Sequence, residues 1–359
     1  MTEKGWRLTE SQWENWLDGL IDDGNRLVAP AASGTARLEF REIARAAEIG
    51  ASGKKTSISA KEFLFPRTEI LFSYRFTGES VELSRRPVAE ESQVLVGLRP
   101  CDAAATRRLD EVFIQDGADL TYAERRSRTV IVSEACTEAF PNCFCNAVGG
   151  SPDSREGADL ILTRLAGTDS LLLEVITPEG GGIVGEASLS WSPISPEDVS
   201  LAKRQAAEVV AAMGREQLPP EAPEILGRSF DLESWERVAS GCIGCGVCTY
   251  ACPTCSCFDI VDTGSASCGS RCRSWDSCAF AGFTRHASGH NPRPTQAARY
   301  RQRVMHKFSY FPLEHGGEPM CVGCGRCIDL CPAGVDIHRA VLSLIEDSRL
   351  AAARQEAAP

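Results

Sequence analysis

Thirteen of the chain's 17 cysteines fall between Cys242 and Cys331, a stretch of 90 residues, and one pattern occurs there twice. Cys242, Cys245, Cys248 and Cys252, followed by Pro253, match Cys321, Cys324, Cys327 and Cys331, followed by Pro332; Gly244 and Gly246 match Gly323 and Gly325. The spacing C-x2-C-x2-C-x3-C-P is that of the bacterial ferredoxin run, which holds a cubane [4Fe–4S] cluster. Three thiolates two residues apart wrap a loop around three iron corners, and small glycines let backbone N–H groups approach the sulfurs. The fourth cysteine points away from its own loop. In two-cluster proteins it ligates the other cluster, which pairs Cys242, Cys245 and Cys248 with Cys331, and Cys321, Cys324 and Cys327 with Cys252. The proline has no N–H and cannot simply continue the preceding turn. Structural zinc is the competing chemistry. It takes four ligands, commonly two separated Cys-x2-Cys pairs, so three consecutive spacings of two leave surplus thiols in each run.

Four more thiols lie upstream, and the elements around them suggest that they meet. Val94–Leu98 is a short apolar run suited to a buried strand, Asp102 can cap a helix from Ala103 to about Phe113, and Val130–Val132 reads as the next strand. That is a βαβ unit, whose strands run parallel. Cys101 follows the first strand and Cys136 the second, so both sit at strand carboxyl ends, on the edge where ligand sites collect. Cys143 and Cys145 follow in one loop. Four thiols on one edge suffice for a third cluster formed by Cys101, Cys136, Cys143 and Cys145; the alternative is that they are buried apolar cysteines. No spacing identifies a role for Cys255, Cys257, Cys268, Cys272 or Cys278.

The surrounding sequence divides the chain. Residues 1–216 read as an α/β domain. It opens with a helix that has Ser11 and Glu14 at capping-box spacing and Trp13, Trp16, Leu17 and Leu20 on one face. Asp159–Leu165 and Ser170–Thr177 look like an antiparallel pair, and a helix follows from Ser195 as N-cap to Gly214 as terminator. Pro219, Pro220 and Pro223 mark a linker over 217–234. Residues 235–359 read as a mainly α-helical two-cluster [4Fe–4S] ferredoxin domain, closed by a helix that Asp336 caps, with Ile337, Val341, Leu344 and Ile345 on its inner face. Its two cysteine runs are separated by 68 residues, and the insert 268–307 carries seven Arg and one Lys against one acid, Asp276. Cations there would raise the potentials of anionic clusters or dock an acidic partner; the plain alternative is a solvated basic face.

Composition sets limits. The formal charge is −11, which disfavours nonspecific nucleic-acid binding. No apolar run approaches the length of a membrane span. The first 23 residues carry acids and three tryptophans in place of a secretory signal, so a cytoplasmic protein with reduced thiols is expected. Gly180, Gly182 and Gly185 spell G-x-G-x-x-G, but residues 186–191 alternate like a strand, so a hairpin turn is expected there and no dinucleotide site. The five histidines form no zinc-protease or nucleophile arrangement, so no catalytic residue is assigned.

The combination of Gly97–Asp102, Cys143-Phe-Cys145, Cys252-Pro-Thr-Cys-Ser-Cys257, Trp275–Cys278, Ala287–Asn291 and Cys321–Cys327 resembles one iron–sulfur subunit family. That family contains the β subunit of cytoplasmic group 3b [NiFe] hydrogenases (sulfhydrogenases) and the A subunit of anaerobic sulfite reductase. The resemblance implies an electron-transfer subunit with a partner that binds FAD and NAD(P)H. It also implies a separate catalytic subunit, a [NiFe] hydrogenase or alternatively a sirohaem sulfite reductase. Cys268 and Cys272 are not part of the pattern. Rivals from other classes are a self-sufficient Fe–S reductase and a zinc-binding interaction module.

Overall fold

In the computed structural model, which describes residues 4–32, 37–50, 54–85, 91–115 and 118–356, the first helix covers Glu10–Asp22. Its capping box is formed by Thr9 and Gln12, two residues before the Ser11 and Glu14 pair expected from spacing. The apolar face is as read: Trp13, Trp16, Leu17 and Leu20 are buried. Trp16 meets Trp13 at 5.2 Å and Trp191 edge-on at 5.9 Å, a geometry that adds about 0.5–1.5 kcal/mol per pair beyond burial.

Strands in chain order are β1 (Gly5–Thr9), β2 (Arg26–Ala32), β3 (Leu38–Glu42), β4 (Thr68–Thr77), β5 (Ser80–Ser84) and β6 (Gln93–Leu98). They continue with β7 (Thr129–Glu134), β8 (Leu160–Arg164), β9 (Ser170–Val175), β10 (Ser192–Pro193), β11 (Phe258–Gly264) and β12 (Cys268–Trp275). The chain divides into two units: Met1–Leu64 with Val88–Glu216 and Val322–Cys324, and Phe65–Pro87 with Gln217–Cys321 and Gly325–Pro359.

The first unit is built on one sheet in the order β10-β1-β9-β8-β7-β6-β2-β3. Its centre, β2, β6, β7 and β8, is parallel, and β8 pairs with β9 antiparallel. The parallel strands are covered on both faces, which is why Val94, Leu95, Val96 and Leu98 form an almost unbroken apolar run instead of alternating. The break is Gly97. It has φ +72°, the β6–β7 register shifts between Val96 and Leu98, and a Cβ there would stand 3.1 Å from the ring of Pro30 on β2. This bulge redirects the chain at the carboxyl end of β6. The next helix, Pro100–Phe113, starts at Arg99 as N-cap with Pro100 in the first turn, three residues earlier than Asp102 alone indicates. The helix Pro196–Met213 has Ser195 as N-cap and left-handed Gly214 as its end.

One local expectation is overturned. The glycine triplet makes no hairpin: Pro178–Val184 is a helix capped by Thr177, and residues 185–190 continue as a 3-10 turn. Glycine is needed at 180 because a Cβ would stand 2.3 Å from the carbonyl of Asp159. The motif therefore lies inside a helix, where it cannot cradle a pyrophosphate. In the region read as a linker, Ala222–Arg228 is helical with Pro223 in its first turn, a position where proline is tolerated. The second unit is not helices alone. It carries an antiparallel sheet, β11-β12-β4-β5, to which Phe65–Pro87 contribute two strands from far upstream. The helix Ile337–Glu356 closes the unit, with Asp336 accepting from the His338 and Arg339 amides.

Leu17 is wholly buried in the first unit. Leu17→Ala should cost about 2–5 kcal/mol and lower the urea midpoint read by tryptophan fluorescence, whereas an unmoved midpoint would contradict this packing.

Candidate metal centres

The two cysteine runs fold alike. Gly244 and Gly246 take φ of +69° and +76°, and Gly323 and Gly325 take +61° and +75°, so each loop makes the same pair of left-handed turns. A short helix follows each, Val247–Tyr250 and Arg326–Asp329. Left-handed φ is accessible to glycine without steric cost, which is the physical basis of the glycines in both copies.

In the second unit Cys242, Cys245, Cys248 and Cys331 line one cavity together with Cys327, Tyr300 and Arg303. The set paired from sequence is thus brought together although Cys331 lies 83 positions after Cys248. Two donors already point at its sulfurs: Gln296 Nε2 to Cys242 Sγ at 3.2 Å and the Val335 amide to Cys331 Sγ at 3.3 Å. The Tyr300 hydroxyl is buried beside them with no hydrogen-bond partner among the described residues. Burial pushes the Cys248 thiol up. Among the described residues no three Cys, His, Asp or Glu side chains gather as ligands of a single ion. A donor set of four thiols around one cavity fits the iron corners of a cube.

Cys252, Cys321 and Cys327 of the other set belong to the second unit, while Cys324 lies in the stretch Val322–Cys324 grouped with the first. Cys252 is buried, and its thiol is held well below the usual thiol range by a hydrogen bond from Cys255, which is correspondingly raised. Cys257 and Cys278 form a second bonded pair, with Cys257 lowered and Cys278 raised. Sequence spacing gave neither pair, because Cys278 reaches Cys257 only through the turn after β12.

Within the first unit Cys101, Cys136, Cys143 and Cys145 line one cavity with Lys55, Arg99, Phe140 and Gly323. The convergence expected from βαβ topology is present. Burial pushes the Cys136 thiol up to about 11 and the Cys145 thiol up to about 12, with neighbouring thiols adding to both. These sulfurs stay protonated at neutral pH unless a cation coordinates them. Arg99 acts in the opposite direction on Cys136, and Lys55 Nζ stands 3.9 Å from Cys143 Sγ and 3.0 Å from the Cys324 carbonyl. The Phe144 amide donates to the Gly323 carbonyl at 2.8 Å.

The basic insert separates into distinct fates. Arg273 is buried and paired with Glu69, Arg271 pairs with Asp262, and Arg299 donates to the carbonyls of Ala279, Arg293 and Pro294. Arg303 and Lys307 are 5% and 3% exposed and lie among thiols. They sit on a helix that begins at Gln296 with Thr295 as cap and passes into a π turn over His306–Tyr310. Gln296, Tyr300, Arg303 and Lys307 recur at helical spacing, so one stripe of this helix carries four polar groups inward. The stripe was legible as i, i+4, i+7, i+11, but the charge count of the insert obscured it.

A Cβ on Gly323 would lie 2.5 Å from backbone atoms of Phe144 and Cys145, whereas one on Gly334, also left-handed at φ +66°, would meet nothing. Gly334→Ala should cost about 1–2 kcal/mol of conformational strain, and Gly323→Ala should lower the thermal midpoint further because backbone must move. Equal losses would contradict the close approach.

Residues 241–335, which contain all eight cysteines of the two runs, match the 4Fe-4S dicluster domain family. The chain is 30% identical over 311 residues to sulfhydrogenase 2 subunit beta of Pyrococcus furiosus, covering 86% of this chain and 89% of that one. A solved chain described as "SPT with PLP" aligns with 61% of this chain and 57% of its own length at 13% identity, and its TM-score of 0.19 carries no argument about the fold. No helix among the described residues is long and apolar enough to cross a membrane. With two matched cysteine loops, a dicluster domain around them and this extent of similarity, the chain belongs to the iron–sulfur subunit family of the sulfhydrogenase beta subunit.

Proposed function

We propose that this chain is the electron-transfer subunit of a multisubunit oxidoreductase in the cytoplasm. It would relay electrons between a partner that binds FAD and NAD(P)H and a catalytic subunit of the [NiFe] hydrogenase type. The observation that carries this reading is the convergence of four cysteines on each of two cavities, Cys242, Cys245, Cys248 and Cys331 in one and Cys101, Cys136, Cys143 and Cys145 in the other. The name of the Pyrococcus furiosus relative, a beta subunit of a sulfhydrogenase, supports the same direction.

Bound [4Fe–4S] clusters supply one-electron carriers, which lets two-electron flavin chemistry communicate with a distant centre in single steps. The chain's own part is to hold and tune them. In this reading Cys242, Cys245, Cys248 and Cys331 ligate one cluster, and Cys321, Cys324, Cys327 and Cys252 a second. Cys101, Cys136, Cys143 and Cys145 ligate a third, to which Lys55 and Arg99 offer positive charge. The N–H groups of Gln296 and Val335 stabilise thiolate charge at the first site. Thiols, cations and apolar groups dominate both linings, with Tyr300 added in the first cavity and Glu138 and Ser151 in the other. The α/β domain over 1–216 and the dicluster domain over 235–359 then divide the clusters as one and two.

Anaerobic purification of the full chain should yield about twelve irons, and Cys143→Ser with Cys145→Ser should remove about four. Unchanged iron in that variant would dismiss the third cluster, and stoichiometric zinc without iron would dismiss the relay. Nickel is expected in the complex that co-purifies with the chain; sirohaem in its place would make the catalytic partner a sulfite reductase.

A further inference from the structure

Burying a cation without a counter-ion costs several kcal/mol, so buried arginine and lysine normally face carboxylates. Arg303 and Lys307 are both buried, and neither has a carboxylate within ion-pair distance among the described residues. What surrounds them is sulfur. Arg303 Nη1 donates to Cys255 Sγ at 3.3 Å and Nη2 to the Cys248 carbonyl at 2.9 Å, and the side chain lines the cavity of Cys242, Cys245, Cys248 and Cys331. Its charge acts on Cys248 of the first ligand set and on Cys252 and Cys327 of the second. Lys307 Nζ donates to Thr254 Oγ1 at 2.7 Å, and its charge acts on Cys252 and Cys321, both of the second set. The two cations are one helical turn apart on the inward stripe that also carries Gln296 and Tyr300.

We propose that Arg303 is the internal counter-cation shared by both ferredoxin-type cluster sites and sets their potentials together, with Lys307 biasing the second site alone. This deepens the relay reading and rests on it. Each one-electron reduction adds a negative charge to a site already anionic through its thiolates. A fixed buried cation stabilises the reduced form, and the low dielectric around Arg303 strengthens the effect. Because one guanidinium faces thiols of both sets, its removal must lower both potentials in the same direction. A cation on the protein surface would be screened by solvent and would act weakly on either. Arg303 is a positioning residue here, since it ligates nothing and acts through the field it places on the sulfurs.

The test is an anaerobic redox titration of the full chain, followed by electron paramagnetic resonance, for wild type, Arg303→Gln, Arg303→Lys and Lys307→Gln, each with its iron content measured. At the wild-type midpoints, Arg303→Gln should lower the reduced-to-oxidised ratio of both ferredoxin-type clusters about tenfold, a shift of about 59 mV for a one-electron couple. Arg303→Lys keeps the charge and should hold both ratios within about threefold, a shift below about 30 mV. Lys307→Gln should lower one ratio and leave the other unmoved. Full iron with both midpoints unmoved in Arg303→Gln overturns the proposal, and a shift of only one cluster overturns the sharing. Should Arg303→Gln lose iron, the Lys307→Gln titration decides: one midpoint lowered supports the counter-cation, none lowered overturns it. Wild-type chain with no reducible cluster would sink the relay reading itself, an outcome distinct from all of these.

Discussion

Thiolates gathered in a protein interior repel one another and lose their hydration, so they persist as ligands only against positive charge. That constraint organises this chain. Burial pushes Cys136, Cys145 and Cys248 toward their protonated forms. The polypeptide places cations among the thiols: Arg99 acts on Cys136 and Lys55 stands by Cys143 in the first unit, while in the second Arg303 acts on Cys248 and Lys307 on Cys252. In the proposed relay, the irons of a bound cluster would complete the balance that side chains begin.

The fold serves the same end by different means in its two units. In the first, parallel strands bring distant residues to one edge, and the Gly97 bulge turns the chain so that Cys101 opens the helix Pro100–Phe113 beside its partners. The two cysteine runs each use a loop with two left-handed glycines to present three thiols, and in the second unit a helix from Gln296 onward carries Gln296, Tyr300 and Arg303 to the cavity of the first run. The antiparallel sheet β11-β12-β4-β5 carries Arg273, whose charge is paired with Glu69.

What the sequence disclosed followed the range of the physics involved. Short periodic signals were accurate: the buried face Trp13, Trp16, Leu17 and Leu20, the strands flanking Cys101 and Cys136, and the Ser195 to Gly214 helix. Caps slipped by two or three residues: Thr9 and Gln12 form the capping box in place of Ser11 and Glu14, and the second helix starts at Arg99 with Pro100 in its first turn, without a side-chain cap. The Gly180 helix was hidden because Gly180 answers to the Asp159 carbonyl, a partner outside its own segment. The pairing of β12 with β4 was hidden for the same reason. At the metal centres the ferredoxin spacing was self-evident, whereas the burial of Arg303 and Lys307 required knowing which face of their helix turned inward.

The central claim is that the gathered cysteines exist to hold cubane clusters that carry single electrons. Its most direct measurement is the electron paramagnetic resonance spectrum of the full-length chain, isolated without oxygen and reduced by dithionite. The account predicts fast-relaxing half-spin signals, silent before reduction, that integrate to about three spins per chain, one for each reduced cluster. A spectrum that stays silent after reduction, from protein that is folded and colourless, would contradict it.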